Sequence, residues 1–155
     1  MNAKRRARPP SRAAISSGDA MTPRGREADT ARAAWLLAVD LSQEAVNGSA
    51  FLKTYATPEK VGRGSDATTA LARKFACYLA CTVADCQPAV LARAARLNRK
   101  TVHSHLNDVE DMRDRPEIER QLEDLRERMI STAARIVLQS LGQAAPAAAA
   151  LVVAP

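Results

Sequence analysis

Residues 90–107 read VLARAARLNRKTVHSHLN, and the polar side chains in this run fall at spacings that suit contact with a polyanion. Val102, Leu106 and Val109 stand at i, i+4 and i+7, the repeat of one inward-facing helical side. With Val102 turned inward, Lys100, His103, Ser104 and Asn107 share the opposite side. Each of these four can donate a hydrogen bond to a base edge or a phosphate, and none is acidic. Asn98 is suited to cap the helix by accepting a bond from the amide of Lys100 or Thr101, which fixes where the helix begins. Arg99 and Lys100 put two cations in its first turn. The bland alternative is the solvated side of an ordinary helical hairpin.

Other constellations carry less. Cys77 and Cys81 share a helical side, and Cys86, His103 and His105 complete a conceivable cluster. The tight pairs of a structural zinc site are missing, so the thiols read as small apolar side chains and no metal is expected. Neither a Gly-x-Ser-x-Gly elbow nor a GxxxxGK[ST] phosphate loop occurs, and no acid–base–nucleophile set can be named. An enzyme, a cofactor and a small-molecule substrate are therefore not expected.

Apolar periodicity indicates the elements that must present the polar face. Ala92 and Ala95 are small enough for a helix from Pro88 to about Ala95 to cross closely over the next one. A break over residues 96–98 leads to a helix over 99–112, and Arg96 sits where a turn would favour glycine. Upstream, Trp35, Leu36, Val39 and Val46 predict a helix over 27–47, stopped by Asn47 and Gly48. Phe51, Leu52 and Tyr55 predict a short helix or turn, followed by a Gly-containing loop with Lys60 and Arg63. Leu71, Phe75, Tyr78, Leu79 and Val83 mark a helix over 67–84 whose aromatic residues should pack in the core. Downstream, Pro116 opens a helix expected to run to Leu141 and to end at Gly142. Its first half should pack on the core. Its second half, with Ile136, Val137, Leu138 and Leu141, should meet the helix around Trp35 or a second copy, which makes helices 27–47 and 116–141 a candidate homodimer interface.

The composition agrees with an all-α class. Among 155 residues there are 32 alanines and only 3% aromatic residues, which favours closely packed helices over sandwiches and barrels. Three cysteines, an odd number, argue against a disulfide-stapled secreted domain and for a reducing cytoplasm. No run is apolar for long enough to span a membrane, and Pro9 and Pro10 interrupt what would be a secretion signal. The net charge of +6 is unevenly placed: residues 53–100 carry +6 and residues 101–135 carry −3. A polyanion would dock on the former. Residues 1–26 read as a disordered basic arm, 27–142 as one small helical bundle containing a helix-turn-helix, and 143–155 as an Ala-rich low-complexity tail or fraying helix.

The run from Asn98 to Val102 resembles the start of the recognition helix in lactose-repressor-type regulators. More broadly, ARKFACYLAC (72–81), Pro88-Ala89-Val90, LNRKTVHSHLNDVE (97–110) and RPEIERQLEDLRERM (115–129) resemble, in order, the C-terminal DNA-binding domain of the bacterial replication initiator DnaA. The resemblance spans about residues 65–131 and implies a stand-alone reader of double-stranded DNA in the bacterial nucleoid, without the initiator's ATPase module. In that family an Asp-His-Thr-Thr run opens the recognition helix and reads bases; Asn98, Arg99, Lys100 and Thr101 match it, and only the last Thr is retained. Asn98 keeps the capping chemistry of the Asp. Arg99 and Lys100 favour guanine O6 and N7 and imply a different target sequence. The family's basic segment enters the minor groove; Arg73 and Lys74 match its end, Ala67 and Leu71 stand where arginine is common, and Arg63 is the candidate replacement. The turn between Cys81 and Pro88 is one residue shorter than in the family. The expected function is sequence-specific DNA binding in transcriptional or replication-origin regulation. The competing expectation is a protein adaptor that uses Trp35, Ile136 and Leu138 and has only non-specific affinity for DNA.

Overall fold

The computed structural model describes residues 23–56 and 66–150, and these are helical with no strand among them. The order is α1 (Pro23–Gly48), α2 (Ala50–Thr54), α3 (Ala67–Thr82), α4 (Pro88–Ala94), α5 (Arg99–Arg113) and α6 (Pro116–Ala150). The all-α bundle expected from composition is what the chain forms. Helix α1 lies chiefly against α3 and α4, and α3 also supports α5. Alanine makes these approaches possible: Ala38, Ala72, Ala76, Ala80 and Ala92 are all buried. Phe75, Leu79, Leu91, Val102, Val109, Ile118 and Leu125 fill the centre. Their burial, at about 1.5–3 kcal/mol per large side chain, is the main favourable contribution to the bundle.

Local chemistry sets most of the boundaries. Helix α1 begins four residues earlier than periodicity suggests, because Pro23 fits a first helical position, where a missing N–H costs nothing. Its end is made by the next helix's cap: the Ser49 hydroxyl accepts from the Leu52 amide at 3.2 Å and turns the chain into α2. Asp66 caps α3, its carboxylate accepting from the Thr69 amide at 2.6 Å. These hydrogen bonds hold the Asp66 pKa below its ordinary value, with the Thr68 hydroxyl the largest contributor.

Two expectations are corrected. Helix α6 does not stop at Gly142 but continues through it and through Pro146 to Ala150. The alanines around Gly142 have the highest helix propensity of any residue, and one glycine costs only about 1 kcal/mol against them. Residues 143–150 of the Ala-rich tail continue α6, as a fraying helix end would. At the other end, residues 23–26 of the expected basic arm belong to α1. Residues 1–22 of that arm, the loop with Lys60 and Arg63, and residues 151–155 lie outside the described residues.

A polar clamp ties α3, α5 and α6 together where the sequence offered no motif. The Arg113 guanidinium donates to both Glu119 carboxylate oxygens, at 2.6 and 2.9 Å, and to the Tyr78 hydroxyl at 2.6 Å. It also reaches Glu110 at 3.1 Å. The fork matches a carboxylate bidentately, which a lysine could not do. The bond to Arg113 holds the Glu119 pKa below its usual range. Phe75 packs in the core as expected, whereas Tyr78 is only partly buried and uses its hydroxyl here.

Candidate nucleic-acid interface

Two helices and a four-residue turn, Ala95 to Asn98, present the polar face singled out above. Helix α4 ends in a left-handed residue, Arg96, at φ 55°. The Leu97 amide donates to the Ala92 carbonyl at 2.8 Å and the Arg96 amide to that of Arg93 at 3.2 Å, the paired bonds that close a Schellman turn. Arginine thus takes the conformation that glycine would adopt without strain. Asn98 follows in extended conformation, and its side-chain oxygen accepts from the Lys100 amide at 2.9 Å, one of the two partners foreseen. The start of α5 is fixed from both sides.

Helix α5 turns Val102 and Val109 fully inward and packs Leu106 against the core. Lys100, His103, Ser104 and Asn107 are consequently exposed together, with Asn98 and Arg99 beside them and Thr101 half-buried at the edge. Acidic residues lie further along: Glu110 and Asp111 are exposed beyond the second turn. The helix is therefore positive at its N-terminal end and negative at its C-terminal end. A polyanion is favoured at the former and repelled from the latter. Arg93 and Arg96 are also exposed, so four cations occupy the eight residues from Arg93 to Lys100. Arg93 was not singled out in advance, although the charge run RAARLNRK contains it.

Helix α3 brings its own cations to α5. Arg73 is exposed, while Lys74 is partly buried and its ammonium lies 2.7 Å from the Asp108 carboxylate. His105 is half-buried among Arg73, Lys74 and Asp108, and its Nδ1 has no hydrogen-bond partner. Burial, together with the charges of Lys74 and Arg73, lowers the His105 pKa against the opposing pull of Asp108. The Lys74–Asp108 pair was not legible in the sequence, because it joins two helices 34 positions apart. Arg63 lies in the segment outside the described residues.

Cys77 is buried and Cys81 and Cys86 are partly buried, all three as free thiols. Burial pushes the Cys77 thiol up to about 12 and Cys81 up to about 11, far from the thiolate that metal binding or nucleophilic attack needs. His103 points to solvent, away from them. Among the described residues no group of three or more His, Cys, Asp or Glu side chains could hold a metal ion, and no helix is long and apolar enough to cross a membrane. No family model, no curated protein and no solved structure matches the chain.

Proposed function

We propose that the protein is a sequence-specific reader of double-stranded DNA that lays the N-terminal half of α5 in the major groove. The observation that carries this reading is the shared exposure of Lys100, His103, Ser104 and Asn107 on a helix whose start is rigidly capped by Asn98. A helix of this width fits the ~12 Å groove, with its first residues nearest the base edges. Arg99 and Lys100 would address guanine, Asn107 adenine, and Thr101 a phosphate or a thymine methyl. Arg73 supplies a backbone contact from α3, and Lys74 can exchange the Asp108 carboxylate for a phosphate. The basic residues 93–100 supply the rest of the electrostatic footprint. The likeness of residues 65–131 to the DNA-binding domain of DnaA supports this docking mode and a role in transcription or at an origin, in the bacterial cytoplasm.

The adaptor alternative loses one of its anchors, since Trp35 is only 9% exposed within the core. Selection of bound fragments from a random duplex library, followed by mobility shifts at ~150 mM salt, tests the reading. A reader prefers its selected site over random duplex by at least ~4 kcal/mol. Equal binding of all duplexes would overturn it.

A further inference from the structure

The outer half of α6 is apolar over more of its circumference than its contacts use. At 100° per residue, Ile130, Ala133, Ile136, Val137, Leu138 and Leu141 spread over an arc of about 200°, twice that of a helix with one buried side. Ser131, Thr132, Arg135 and Gln139 fill the rest. Ile130, Ala133, Ile136 and Val137 border the groove against α1 and its residues Ala33, Ala34 and Leu37, whereas Leu138 and Leu141 lie outside it. Ile130, Ile136, Val137, Leu138 and Leu141 remain 50–69% exposed, and Leu36 of α1 is 50% exposed. A helical segment this short gains little from propensity alone; packing has to hold it.

A second copy of the chain fits this face. Burying the exposed remainder of the six large side chains withdraws on the order of 400 Å² of apolar surface per copy. That matches a standard-sized interface of about 800 Å² per partner, of which a little over half is non-polar. The rim carries both signs in equal number: Arg26, Asp29, Arg32 and Asp40 on α1 and Glu127 and Arg135 on α6 are exposed, and none has an ion-pair partner among the described residues. A surface so balanced can face itself across a two-fold axis without net repulsion.

We infer that the protein forms a two-fold dimer through the outer half of α6 and the adjoining Leu36 edge of α1. This pairing is independent of the DNA reading. Sedimentation velocity of the full chain should give twice the 16.7 kDa mass at micromolar concentration. Val137→Glu combined with Leu141→Glu, both at exposed positions, should raise the dissociation constant at least ~100-fold, about 2.7 kcal/mol, while circular dichroism stays helical. Gln139→Glu, in the middle of the polar side of α6, should leave the dimer intact. A wild-type chain that is monomeric up to ~100 μM, or a double variant that still sediments as a dimer, would overturn the inference.

Discussion

Arg96 holds a left-handed backbone at φ 55° so that α4 can turn sharply into α5. A side chain there costs about 1–2 kcal/mol, and replacement by glycine relieves it at an entropic cost of about 0.4–1 kcal/mol. Arg96→Gly should therefore leave stability unchanged or raise it by up to about 1.6 kcal/mol in urea unfolding, and Arg96→Val should lower it by about 1 kcal/mol or more. A large loss in the glycine variant would mean that the arginine side chain itself holds the turn. His105 makes a second prediction. Its folded pKa lies below the ordinary 6.5. Between those two values the unfolded chain holds more protons, so stability rises with pH through this window, is complete above 6.5 and is lost on acidification. Unfolding measured from pH 5 to 7 should show that slope, and His105→Gln should flatten it. The cap of Asn98 could be read from the sequence because it depends on neighbours two residues away. The unpartnered Nδ1 of His105 could not, because burial by another helix creates it.

Between elements, the junction of α3 and α5 sets how much positive charge is available. Lys74 and Asp108 neutralise one another at 2.7 Å beside the proposed DNA face. Asp108→Asn removes a repelled carboxylate and frees the ammonium, so affinity for any duplex should rise several-fold, about 1 kcal/mol, with the preferred sequence unchanged. Fluorescence anisotropy on selected and random duplexes measures both quantities; unchanged affinity would place Lys74 outside the interface. The number and order of helices could be anticipated because apolar repeats and caps are local signals. The length of α6 could not, since Gly142 reads as a stop and the helix continues past it and past Pro146. The Arg113 clamp was equally hidden, because it gathers Tyr78 and Glu119 from α3 and α6 onto one guanidinium.

For the whole molecule, the two halves of the charge distribution do opposite work. Residues 53–100 are basic and residues 101–135 acidic, so a polyanion is favoured at the N-terminal end of α5 and disfavoured along the rest, as the proposed DNA reading requires. Neutralising ~4–6 phosphates gives a slope of about −4 to −5 for log affinity against log salt. Arg73→Ala should flatten that slope by about 1 and weaken all sequences alike. A salt-independent affinity would contradict the electrostatic footprint. Whether α5 reads bases is tested by the base preference of Lys100→Ala, obtained by repeating the duplex selection and titrating the wild-type site. A base-reading Lys100 gives a loss of about 1–3 kcal/mol on that site and relaxed choice at one or two adjoining base pairs. Identical affinity and an identical selected sequence would contradict it.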